Sequence, residues 1–256
     1  MKTRVGLQLY SIRQAMQEDY FGSLEKVKEA GYDCVEFAGY GGHSAEKLRA
    51  ELDRIGLEAY SSHVGANLLA DELDEVVAFS RTLGLSWVIC PGFPIHSAAD
   101  CKTISDILVK AARALEPHGI RVGYHNHHRE LVQFDGQYAF NLILQNDAGI
   151  QLVAEVDTCW VQYADVDPVA YIDSLGKLAG PLHFKDINAD YKDLAGKDIN
   201  VEVGNGMIDF PAIIEIARKH GTLERGLIVE QEAFTRDMFE SIGISCANIR
   251  RMLNEG

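Results

Sequence analysis

Residues 120–130 read IRVGYHNHHRE. The first four have the composition of a buried strand. The seven that follow, Tyr124 to Glu130, hold three of the chain's nine histidines and end on a glutamate. A polar loop would account for such a stretch. So would the end of a strand in a parallel α/β fold, where catalytic groups collect. The segments on either side decide between the two.

They repeat one beat. Short apolar runs alternate with longer segments of helical spacing. Arg4–Tyr10 is followed by a predicted helix over Tyr20–Ala30, with Gly31 as its stop signal. YDCVEF precedes a helix from Ala45 with Ser44 as N-cap. LEAYSS precedes one near Glu72–Leu83, and SWVIC one near Ala98–Leu115. IRVGYHN leads to a helix near Tyr138–Gln145, and IQLVAEVD to one opened by Asp167-Pro168. PLHFKD leads, after a long loop, to a helix capped by Asp209, and GLIVEQ to a last helix over Asp237–Leu253. Eight strands and eight helices in strict alternation predict a closed α/β barrel of (β/α)8 type, a single domain over residues 1–256. A doubly wound open sheet fits less well, because YSIRQ, not a glycine-rich turn, follows the first strand.

Composition narrows the function. Of the 256 residues 47% are hydrophobic, enough for a large core, and the 6 prolines mark no linker. A formal charge of −14 argues against a nucleic-acid partner, whose backbone calls for clustered Lys and Arg. Five cysteines without a CxxC pair suggest a reducing compartment. No apolar run approaches the roughly 20 residues that span a bilayer, and MKTRVGLQLYSIRQ has no signal-peptide core. The expectation is a cytoplasmic protein without a membrane partner.

The strand ends carry the chemistry. In order they offer Gln8 and Tyr10; Glu36; His63; Pro91-Gly92; His125 through Glu130; Asp157 and Trp160; His183 and Lys185; Glu230 and Glu232. Ionisable groups gathered at one end of apolar strands mark the catalytic face of a barrel. Asp157, His183 and Glu230 end three successive strands, and adjacent strands lie ~4.8 Å apart, so the three can converge. A mixed carboxylate and imidazole set suits Mn, Co, Fe, Mg or Zn. Strand five supplies the fourth ligand: Glu130, with His125 and His127 as competitors.

Each residue also has a plainer reading. Asp157 could cap the turn after it, and His183 could be a satisfied core histidine. Glu230 closes an LIV strand, where a carboxylate is rarely buried without a partner. Lys185 shares a side with His183. Glu36 and His63 could only line the rim, and Trp160 could be core or the apolar face for a sugar ring. Cys159 reads as structural, and Glu155, one layer below Asp157, as a group that holds a neighbour. The glycine-rich Val203–Gly206 is either a closing loop or a connector.

These motifs carry a resemblance along nearly the whole chain. GLQLYSIR, GYDCVEFAGYGG, GYHNHHREL, LVAEVDTCWVQYADVDP, LHFKDI, VEVGNGMIDF and LIVEQE resemble the xylose isomerase-like TIM-barrel superfamily, the sugar phosphate isomerase/epimerase group. The resemblance implies one divalent ion held by Glu130, Asp157, His183 and Glu230. It implies Glu130 and Glu230 as acid/base groups on opposite faces of a keto sugar, with Lys185 as a third catalytic residue. His63, His125, His127, Trp160 and Glu36 then bind substrate. Many members place the fifth-strand glutamate within the strand, where this chain has Tyr124 or His125. The implied activity is isomerase or epimerase chemistry through a metal-stabilised enediolate. A lyase or dehydratase acting on a 3-keto glycoside or polyol acid is the alternative. A three-zinc DNA-repair endonuclease of the same superfamily is disfavoured by the charge. Dimers or tetramers are common in the family.

Overall fold

In the computed structural model, which describes residues 3–194 and 199–255, eight parallel strands and eight helices alternate. They are β1 (Val5–Gln8), α1 (Tyr20–Glu29), β2 (Cys34–Phe37), α2 (Ala45–Ile55), β3 (Glu58–His63), α3 (Leu73–Leu83), β4 (Trp87–Cys90) and α4 (Ala98–Leu115). The second half adds β5 (Arg121–His125), α5 (Ala139–Leu144), β6 (Val153–Glu155), α6 (Pro168–Leu175), β7 (Leu182–Phe184), α7 (Phe210–His220), β8 (Leu227–Val229) and α8 (Met238–Glu255). Strand order is β6-β5-β4-β3-β2-β1-β8-β7. The remaining gap, between β6 and β7, is spanned by parallel bridges Ala154–Ala179 and Asp157–His183. The fold is a TIM barrel. Part of the long connection after β7, residues 195–198, lies outside the described residues.

Local chemistry sets the boundaries. Asp19, Ser44, Ser97, Asp167 and Asp209 each accept a backbone N–H from the first turn of the helix they precede. Gly56 and Gly84 end α2 and α3 at φ +79, a left-handed conformation costly for residues with a Cβ.

The period-2 alternation of each strand builds the interior. Leu7, Val35, Val88, Val122, Ala154, Phe184 and Val229 face the helices and join the main core. A second cluster, Cys34, Tyr60, Trp87, Ile89, Val153 and Ile228, fills the bottom of the barrel. Arg4 and Arg121 lie over the Tyr60 and Trp87 rings at 5.2 Å each, where they cover this plug. Two residues further along the same strands come Glu36, Glu155 and Glu230. Apolar plug below and ionisable groups above are therefore one alternation continued to the strand ends. A register shift between Val35 and Glu36 gives β3 one extra residue, so Tyr60 can serve the plug while Ser61 pairs with Glu36.

Several short elements were not anticipated. Arg13–Glu18, Ala66–Asp71 and Thr158–Tyr163 are six-residue helices, Gln133–Phe134 pairs with Gln137–Tyr138 in a small hairpin, and Asp186–Ile187 pairs with Asn200–Val201. No helix among the described residues is long and apolar enough to cross a membrane. The five cysteines are all free and buried.

Candidate active site

Strand register brings the polar residues together in pairs. Gln8 lies opposite Glu36, His125 opposite Glu155, and Asp157 opposite His183. Glu36, Glu155, Asp157 and His183 are wholly buried, and His125 and Lys185 nearly so.

The deeper layer is a hydrogen-bonded ring. Glu36 Oε1 accepts from Gln8 Nε2 at 2.8 Å and Oε2 from Ser61 Oγ at 2.5 Å. His183 Nε2 lies 2.6 Å from Glu36 Oε1 and 3.2 Å from Glu155 Oε2. Glu155 Oε2 also lies 2.7 Å from His63 Nε2 and 3.1 Å from His125 Nδ1. Burial pulls the His63 pKa down, but Glu36 and Glu155 outweigh it and raise it to about 10. Burial, and then Glu36, lift Glu155 to about 7.

Above it lies a second layer. His183 Nδ1 is 3.0 Å from Glu230 Oε2. Lys185 Nζ donates to Glu230 Oε1 at 3.1 Å and Glu232 Oε1 at 2.6 Å, and sits 3.7 Å from Asp157 Oδ2. Burial opposes ionisation of Glu230, but Lys185 and His183 hold its pKa well below the usual carboxylate range. Burial raises Asp157 to about 7, against the pull of Lys185.

Five carboxylates (Glu36, Glu155, Asp157, Glu230, Glu232) thus share this space with one lysine. Asp157 Oδ2 and Glu155 Oε1 are buried without a hydrogen-bond partner. Carboxylate oxygens buried with no partner mark a place for a cation. His125, Asp157, His183 and Glu230 each direct one donor atom to within 4.8 Å of the others, and His63, His125, Glu155 and His183 do the same one layer down. Imidazole and carboxylate donors in these numbers fit a divalent metal.

The xylose isomerase-like TIM-barrel family matches residues 24–249. The chain belongs to that family. It is 26% identical over 155 residues to an inosose dehydratase from Clostridium beijerinckii, over 56% of this chain and 51% of the relative. The match spans about half of that curated relative's length. A crystal structure of a sugar phosphate isomerase/epimerase from Parabacteroides distasonis superposes with a TM-score of 0.83 at 25% identity, over 98% of this chain and 94% of that one. An L-ribulose 3-epimerase structure shares the fold, with a TM-score of 0.75 at 17% identity over 99% and 95% of the two chains.

In this xylose isomerase-like barrel, a cavity of about 440 Å³ opens above the donor cluster. His63, His125, His127, Trp160 and Glu230 line it, with Gln8, Tyr10 and Glu232. Lys185 Nζ lies 5.0 Å over the Trp160 ring, whose buried Nε1 has no hydrogen-bond partner. Burial, and then Lys185, lower the His127 pKa to about 4.

Two residues lie elsewhere than expected. Glu130 is not among the converging donors. It follows β5 in a single 3-10 turn, where Oε2 accepts the His127 backbone N–H at 2.8 Å and Oε1 the Tyr124 hydroxyl at 3.1 Å. Strand five instead brings His125 to the donor set. The reason is parity: His125 is two residues beyond Gly123 on the inward face, whereas Glu130 lies past the strand. Glu36 is the second. It does not line the rim or the cavity but sits in the buried ring beneath.

Glu232 and Glu155 were legible but not chosen. Each stands two residues from an expected ligand, on the same side of its strand. The Val203–Gly206 loop is anchored: buried Asp186 accepts N–H groups of Gly204 and Gly206 at 2.9 and 2.8 Å. Cys159 is buried against Asn200 Nδ2.

Proposed function

We propose that this chain is a divalent-metal-dependent isomerase or epimerase of a keto sugar or related polyol derivative. The observation that carries the reading is the convergence of His125, Asp157, His183 and Glu230 beneath a cavity sized for one small molecule. These four residues would hold the ion. When bound, it polarises a carbonyl oxygen as a Lewis acid, which makes the neighbouring C–H acidic enough to lose its proton.

The chain's own groups do the rest. Glu230, kept ionised by Lys185 and His183, takes the proton from the carbon beside the carbonyl. Lys185 offers N–H to the oxygen on which charge develops. His127, held neutral, bonds a sugar hydroxyl. Trp160 gives the ring an apolar face. Return of the proton to the next carbon is isomerisation, and delivery of a proton to the opposite face, from a donor other than Glu230, is epimerisation.

One observation favours a second reading. With Glu130 engaged by Tyr124 and His127, strand five contributes no carboxylate to the cavity. Loss of a β-substituent needs one base and one proton donor, and Glu230 with Lys185 meets that need. A dehydratase or lyase on a 3-keto glycoside or polyol acid uses the same residues, and the likeness to an inosose dehydratase supports it.

Incubation of the metal-loaded protein in D2O with keto sugars, inososes and 3-keto glycosides, followed by proton NMR, tests both. Deuterium beside the carbonyl with the carbon skeleton and its substituents intact supports the isomerase or epimerase. Loss of water or of a β-substituent supports the lyase. Absence of exchange across the panel contradicts the enediolate chemistry.

A further inference from the structure

His125 and His183 belong to both sets of converging donors, and each turns one ring nitrogen to the lower carboxylates and the other to the upper ones. His125 turns Nδ1 down to Glu155 Oε2 at 3.1 Å and Nε2 up to Asp157 Oδ2 at 3.8 Å. His183 turns Nε2 down to Glu36 Oε1 at 2.6 Å and Nδ1 up to Glu230 Oε2 at 3.0 Å. A neutral imidazole has one N–H and one lone pair. Ions in both sets would require both rings as doubly metallated imidazolates. The rings therefore serve one ion.

Geometry also selects the layer. In the lower set each nitrogen already meets a carboxylate oxygen at hydrogen-bond distance. Glu155 Oε2 takes His63 at 2.7 Å and His125 at 3.1 Å, with His183 Nε2 a further 3.2 Å contact. Glu36 takes His183 and is itself fixed by Gln8 and Ser61. Each set keeps one unpartnered oxygen, Glu155 Oε1 below and Asp157 Oδ2 above; in the upper set His125 Nε2 stands 3.8 Å from Asp157 Oδ2, and Glu230 opens on the cavity.

We infer that Glu155 and Glu36 are positioning residues that accept the N–H of His125 Nδ1 and His183 Nε2, and so aim His125 Nε2 and His183 Nδ1 at a single divalent ion. The inference rests on the metal-centre reading above. It gives the buried Glu36 and Glu155, which no substrate reaches, a defined task. It also sets the class of ion: two imidazoles beside two carboxylates favour Zn, Fe, Co or Mn over Mg.

The tautomers can be read directly. Long-range 1H–15N NMR correlation on the Zn2+-loaded wild-type protein should show the proton of His125 on Nδ1 and that of His183 on Nε2. The opposite tautomer at either ring overturns the inference, and this measurement needs no variant to fold. Titration with Co2+, followed by its visible absorption, should show one equivalent in the wild type. In Glu155→Gln and Glu36→Gln that equivalent should bind 10–100-fold more weakly, the usual cost of losing a partner behind a ligand. Unchanged affinity in both variants overturns the inference. So do two equivalents in the wild type with one lost in Glu155→Gln, which would make the lower set an ion site. No Co2+ binding by the wild type overturns the metal-centre reading and the inference with it.

Discussion

Asp157 divides its carboxylate between Trp160 and the site: Oδ1 accepts the Trp160 backbone N–H at 3.0 Å, and Oδ2 is buried with no hydrogen bond. Capping and ligation, alternatives in the sequence, are available to the same side chain on different oxygens. Two substitutions separate them. Asp157→Asn retains a good N-cap and should fold with little loss, yet bind no divalent ion. Asp157→Ala should lose the ion and also about 1 kcal/mol of cap stability. Chemical denaturation of the metal-free variants, beside elemental analysis, checks this. Full ion content in Asp157→Asn would remove Oδ2 from the centre.

Glu130 leads to the opposite expectation. Its oxygens hold the His127 N–H and the Tyr124 hydroxyl, so Glu130→Gln should leave ion content and affinity unchanged. It should cost about 1–3 kcal/mol of stability, as expected when a buried hydrogen-bonding group is mismatched. Calorimetric ion titration and thermal melts on the same preparation measure the two effects. A loss of ion affinity would return Glu130 to the ligand set.

The metal-free protein should lose stability as pH rises. Asp157 and Glu155 are raised to about 7 in the fold. Unfolded, they titrate near 4. Raised groups hold their protons more tightly in the folded state, so their contribution is complete below pH ~4 and disappears as pH rises through about 7. The melting temperature of the metal-free wild type should therefore fall between pH 5 and 8. Asp157→Asn should flatten that slope, as should a bound divalent ion, which replaces the protons. A slope identical in the variant would contradict the assignment.

Gly206 is the residue on which the anchored loop depends. A Cβ there would sit 2.3 Å from Ile187 O and 2.4 Å from Asp186 Oδ1. Gly206→Ala should force the loop off Asp186 and cost about 1–3 kcal/mol, the usual range for overpacking. Urea denaturation reads the cost. A stability equal to wild type would show that the loop gives way without loss.

Much of the barrel was legible because its signals are periodic. Alternation in the strands and caps such as Ser44, Asp167 and Asp209 located the main elements. Asp157, His183 and Glu230 could be singled out because they extend the inward face of their strands. Short elements escaped: Ala66–Asp71 and Thr158–Tyr163 are under two turns, too brief for a period to show. The shift of register at Val35/Glu36 has no sequence mark, so the depth of Glu36 was hidden. Glu130 was expected at the ion because the histidine-rich stretch reads as a ligand set. The signal pointing the other way was its spacing. A glutamate three residues after His127 matches a helix-start arrangement in which the carboxylate returns to a backbone N–H.

Replacement of Glu230 bears on the chemistry. Glu230→Gln keeps the shape, loses the base, and leaves Lys185 with Glu232 and Asp157 as partners. Turnover on whichever substrate shows deuterium exchange should fall by about 10²–10⁴. Activity within a few-fold of wild type would assign proton abstraction to another group.

The most direct measurement is the metal content of the purified protein by elemental analysis, beside an Asp157→Asn/His183→Gln double variant checked for folding. The account predicts about one Zn, Fe, Co or Mn per wild-type chain, in line with a single-ion donor set, and none in the variant. A wild-type chain that takes up no divalent ion even after reloading, or a variant that holds as much as the wild type, would contradict it.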